Sequence, residues 1–117
     1  MVGIKILPVY DIPEVLNFNL TGVEDKLLEF TQTDFIQNFH SVDHLELNHV
    51  KILSLPTHGI LKLSETPVHV NQKIDNKSLT NLSFVPDSQW NGIEKFTWIA
   101  HDGFDYSQNI AEAKIII

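Results

Sequence analysis

An all-β sandwich of about seven to nine short strands is the fold class that this sequence predicts. Three observations lead there. Apolar runs are short and several alternate with period two: in Phe96-Thr97-Trp98-Ile99-Ala100 one face carries Phe96, Trp98 and Ala100, as a half-buried strand would. Turn-forming residues separate the runs at Pro56-Thr57-His58-Gly59, Pro86-Asp87-Ser88, Asn91-Gly92 and Asp102-Gly103. A chain of 117 residues, 43% of them hydrophobic, has room for one globular core.

In chain order, strands are expected over residues 4–7, 15–20, 27–31, 49–55, 60–63, 68–70, 82–85, 96–100 and 110–117. Two stretches read as single helical turns. Residues 33–39 put Phe35, Ile36 and Phe39 on one face, with Thr33 or Asp34 available as the cap, and residues 76–82 repeat the pattern more weakly. Pro56 and Gly59 bracket a tight reversal, and Asn91-Gly92 is a turn dipeptide because both residues accept positive φ. Phe84, Trp90, Phe96 and Trp98 are the expected core aromatics, each stabilising by about 2–3 kcal/mol when buried.

Charge and composition narrow the function. The formal net charge is −7, and all eight basic residues are lysine. Without arginine the chain lacks the planar fork that nucleic-acid interfaces favour, and its acidic excess repels a phosphate backbone. Nucleic acid and anionic membrane surfaces are therefore not expected partners. No window approaches the roughly 20 apolar residues of a membrane helix, so membrane insertion is not expected either. Residues 1–7 lack the charged start and apolar core of a signal peptide, so any export signal is expected elsewhere in a longer parent or not at all. Absence of cysteine removes disulfides, thiol catalysis and the common structural zinc patterns.

The ends hint at repetition. Ile4 and Ile6 align with Ile115 and Ile117 across nearly the whole chain, as expected of a piece cut from a tandem array. Residues 1–13 then read as the last strand of a preceding repeat with its linker, and residues 14–117 as the repeat itself.

An ordered set of phrases extends this. Residues 54–63, Ser-Leu-Pro-Thr-His-Gly-Ile-Leu-Lys-Leu, precede Thr66-Pro67-Val68 and Asn71-Gln72-Lys73-Ile74. Then come Leu79-Thr80-Asn81-Leu82-Ser83-Phe84-Val85-Pro86, Trp90-Asn91-Gly92, Phe96-Thr97-Trp98, and Ala100-His101-Asp102-Gly103 with Ser107. Upstream stand Pro8-Val9-Tyr10-Asp11-Ile12-Pro13, the acidic pair Glu24-Asp25, and Phe30-Thr31-Gln32-Thr33-Asp34-Phe35. This set, spanning residues 8–117, resembles the cadherin-like, Ig-like repeats of large bacterial surface and adhesin proteins. Animal chondroitin sulfate proteoglycan repeats share the LPxxGxL phrase.

The resemblance implies a Greek-key sandwich in an exported, cell-surface protein, with neighbouring repeats of the same chain as partners. It also implies calcium between consecutive repeats, held by carboxylates at the module's ends. Position by position the candidate ligands are Asp11, Glu24, Asp25, Asp43 and Asp102. In the loop at residues 40–46 this chain departs from the family's DPDGD phrase, leaving only Asp43 and Glu46 to coordinate, so calcium ligation is expected to be incomplete in an isolated module. If Asp11, Glu24 and Asp102 converge at one end, their mutual repulsion destabilises the metal-free fold and a divalent cation relieves it.

Other chemistries find little support. His40, His44 and His49 share a short window but lack zinc-ligand spacing. No G-x-S-x-G elbow or glycine-rich phosphate loop occurs, so no enzyme activity is expected, and a Glu24–Asp102 glycosidase pair would lack a cleft. Sequons occur at Asn19, Asn76 and Asn81. The expected role is a non-catalytic spacer or adhesive module. The alternative is an accessory domain of a secreted protein or enzyme that presents Tyr10, Phe104 or Tyr106 to a glycan or a host-surface protein.

Overall fold

A computed structural model describes residues 12–117 of the chain. In order, the elements are β1 (Glu14–Val15), β2 (Phe18–Thr21), β3 (Leu28–Glu29), α1 (Gln32–Ile36), β4 (Phe39–His40) and β5 (His49–Ser54). There follow β6 (Gly59–Leu63), β7 (Thr66–Pro67), β8 (Lys73–Asp75), a 3-10 turn (Asn76–Asn81), β9 (Leu82–Pro86), β10 (Ile93–His101) and β11 (Ala111–Ile116). Among the described residues strands account for 44% and helices for 10%, a mostly β content.

The strands form a five-stranded sheet in the order β2-β11-β10-β5-β8, a four-stranded sheet β3-β9-β6-β7, and a small ribbon β1-β4. All pairings are antiparallel except β2 with β11. The larger sheets share one hydrophobic cluster. Val50, Ile52, Ile74, Phe96, Trp98, Ala113 and Ile115 enter it from one sheet, and Leu61, Leu82 and Phe84 from the other. This architecture is compatible with an all-β sandwich.

Alternation explains the strands. In β10, Glu94, Phe96, Trp98 and Ala100 are buried while Lys95, Thr97, Ile99 and His101 face outward. Trp98 is fully buried, with Phe35 at 5.1 Å and Phe18 at 5.9 Å meeting it edge to face. Gly59 is required by close approach: a Cβ there would stand 2.5 Å from both Phe84 Cζ and the Val85 carbonyl oxygen.

Several local expectations are corrected. The run 15–20 is two strands, because the chain changes sheets within it: β1 pairs with β4 and β2 with β11, and between them the Asn17 side chain accepts the Glu112 N–H. Residues 68–70 are no strand: Asn71 adopts φ 70° and turns the chain into β8, whose lone buried Ile74 made it hard to recognise. The helix cap is Thr31, not Thr33 or Asp34. Its Oγ1 accepts the Asp34 N–H while the Asp34 carboxylate accepts the Thr31 N–H, closing a capping box. Trp90 is only half-buried and lies against His58 instead of joining the core.

Candidate functional site

The candidate calcium ligands divide between the two ends of β10. Glu24 and Asp25 follow β2 and brace the turn that leads into β10. The Asn91 side-chain amide donates to Glu24 Oε2 at 3.2 Å, and the Gln89 N–H donates to Asp25 Oδ1 at 2.8 Å. Asp102 follows the last residue of β10, so the strand's nine residues, about 30 Å of extended chain, separate it from the acidic pair. Glu24 and Asp102 therefore do not converge. Asp11 lies outside the described residues, as do Tyr10 and the expected strand at 4–7.

Asp102 organises its own loop. It is 5% exposed, and its Oδ1 accepts the N–H groups of Phe104 at 2.8 Å and Asp105 at 2.9 Å. That is the aspartate-turn geometry the Asp-Gly dipeptide predicts. Beside Asp102 an open groove of about 590 Å³ is lined by residues 44–48, Asp75, Asn76 and Lys77. The Asp43 loop therefore belongs to the Asp102 end, where the Ser41 carbonyl and hydroxyl accept the N–H groups of His44 and Leu45. Among the described residues no three His, Asp or Glu side chains group as a metal site.

The histidines separate too. His40 and His44 flank a groove beside α1, whereas His49 sits on β5 opposite His101 of β10. The two imidazoles stack at 4.6 Å, and Tyr106 meets both edge to face. His49 Nε2 is 2.9 Å from the Tyr106 hydroxyl and its Nδ1 is 2.7 Å from Asn48 Oδ1, while His101 Nδ1 accepts the Gly103 N–H at 2.9 Å. Three of the four ring nitrogens are thus committed. Burial pushes the His49 pKa below its usual value, helped by His101, Lys73 and Lys51 and opposed by Asp75.

A second cluster was not legible in the sequence. Glu94, at the start of β10, is 8% exposed and clamps the turn between β5 and β6. Its carboxylate accepts the Thr57 N–H at 3.2 Å, the Thr57 hydroxyl at 2.9 Å, the His58 N–H at 2.9 Å and His58 Nδ1. Burial alone would raise the Glu94 pKa; the hydrogen bonds from His58 and Thr57 outweigh it and hold the carboxyl below 4.5. The His58 ring lies flat on Trp90, with centroids 5.0 Å apart. Only the Trp and Gly flanking Asn91, and the Thr-His before Gly59, hinted at it, and neither hint names Glu94 as the partner.

No protein-family model matches this chain, and no curated protein matches it. Among the described residues no helix is long and apolar enough to cross a membrane.

Proposed function

We propose that this chain is a non-catalytic, cadherin-like module of a larger exported surface protein, a spacer or adhesive unit working beside copies of itself. What supports this reading is that the polar residues of its motif phrases are occupied in making turns. Gly59 lets the LPxxG reversal press against Phe84, Asn91 ties its turn to Glu24, and Asp102 gathers its own loop amides.

The division of acids adds a mechanism for calcium. Glu24 and Asp25 mark one end and Asp43 and Asp102 the other, so a full shell of six to eight oxygens forms only where the end of one module meets its neighbour. Two copies joined through residues 1–13 should melt higher with millimolar calcium than with chelator, by on the order of 10 °C. The single copy should not shift. Identical melting of the joined pair in both buffers would overturn the calcium-stiffened array.

The second reading, an accessory glycan- or protein-binding domain, is favoured by one observation: Phe104 is 71% exposed at the tip of the β10–β11 loop. Tyr106 packs with His49, His101 and Lys51, whose Nζ lies 5.4 Å from its ring centre. Loss of binding to the parent's target on Phe104→Ala, with melting unchanged, would favour that role.

A further inference from the structure

The outer face of the five-stranded sheet carries charge of the wrong sign for this protein. Half of the eight lysines lie on it, in strands that alternate inward and outward. Lys51 on β5, Lys73 on β8, Lys95 on β10 and Lys114 on β11 each neighbour buried residues and so point away from the core. The register sets them in like-charged pairs directly across from one another: Lys95 opposite Lys114, and Lys51 opposite Lys73. Directly opposed like charges destabilise a sheet. Among the described residues that face outward on the five strands, only Glu112 and Asp75 oppose them, which leaves these strands' outer side net positive on a chain of net charge −7.

The neighbouring contacts do not cancel this charge. Lys95 Nζ donates to Glu112 Oε2 at 3.1 Å, but both groups are largely exposed and such a bridge contributes little. Lys51 sits over the Tyr106 ring, which supplies no counter-charge. Because the strands run β11-β10-β5-β8, the four lysines form a diagonal stripe. It crosses three inter-strand gaps and about four residues of rise, roughly 20 Å in all.

We propose that this stripe binds a linear sulfated polysaccharide. Lysine ammonium groups act as point charges for anions strung along a chain, without the planar fork that would single out one bidentate partner. Each pair places two ammonium-bearing stems side by side, their Cβ atoms about 5 Å apart, which suits a sugar carrying more than one anionic group. A protein partner is disfavoured because the middle of the face offers no well-exposed apolar anchor: Ile99, beside Lys51, is half-buried, and its neighbour two residues back is polar. Thr97 stands between Ser54 and Glu112, its hydroxyl 2.6 Å from that of Ser54, where a protein interface would want an apolar anchor. Of the exposed large hydrophobic side chains, the five strands of this sheet carry only Ile93, at its margin. The inference does not rest on the module reading, since the face is equally basic in any parent.

The test is retention of the whole chain on immobilised heparin across a salt gradient. A protein of net charge −7 should pass through; retention at low salt, lost steeply as salt rises, is the expected result. Replacing Lys51, Lys73, Lys95 and Lys114 together by glutamine should lower heparin affinity at least about tenfold, on the order of 1.4 kcal/mol. Replacing Lys26, Lys62 and Lys77 should change it less than about twofold. Thermal melting of both variants within a few degrees of the parent confirms that the fold is intact. No retention of the parent, or equal loss in both variants, overturns the stripe. Competition by polyglutamate as strong as by heparin assigns the face to an acidic protein, competition by polygalacturonate as strong as by heparin removes the sulfate preference, and retention that tracks self-association in sedimentation assigns the face to a second copy; each overturns the proposal.

Discussion

Replacing Glu94 by glutamine removes the charge from the clamp and keeps its shape. In the native protein one nearly buried carboxylate accepts two N–H groups, a hydroxyl and an imidazole nitrogen from Thr57 and His58. Hydrogen bonds to a charged group contribute about 1.5–3 kcal/mol each when singly deleted. Glutamine keeps one acceptor oxygen, and Thr57 and His58 are exposed enough to be rehydrated, so the net cost is about 2 kcal/mol. For a domain this size that lowers the melting temperature by about 8 °C near neutral pH.

The pH dependence gives the sharper test. Because the folded Glu94 pKa lies below 4.5, its stabilisation is fully present above that value and is lost as pH falls through the folded pKa. Melting followed by circular dichroism from about pH 7 down to about pH 3 should therefore show the gap between parent and Glu94→Gln closing in acid. A gap that stays constant across the range, or one below about 2 °C at neutral pH, would refute the clamp as a charged, stabilising element.

Two further substitutions test the core. Gly59→Ala drives a methyl group into Phe84 and the Val85 carbonyl, so it should destabilise by about 1–3 kcal/mol in urea unfolding, and a neutral result would mean that β6 and β9 are not this close. Trp98→Ala empties the middle of the aromatic cluster and should cost about 3–5 kcal/mol, enough to unfold a marginal domain; a melting temperature within a degree or two of the parent would displace Trp98 from the core.

Local physics made much of the β architecture readable from the sequence. Period-two alternation marks β5, β10 and β11 because a pleated strand sends successive side chains to opposite faces. Gly59, Asn91-Gly92 and Asp102-Gly103 punctuate the chain because few residues tolerate the backbone that a reversal needs. Both short helical turns formed where an apolar face was expected, the first closed by the Thr31 capping box and the second without a side-chain cap. The same alternation turns Lys51 and Lys114 outward, whereas Lys73 lies on β8 and Lys95 on the early part of β10, outside the expected strands.

What alternation cannot supply is who stands opposite whom. Partnership is decided by register, and register is settled by the whole sheet burying its inner face at once. Only the tertiary structure therefore pairs Lys95 with Lys114 and His49 with His101, runs β2 parallel to β11, and carries Glu94 back 36 residues to the His58 turn. For the same reason the acids at residues 24, 25 and 102 look alike in the sequence, yet they sit at opposite ends of one long strand.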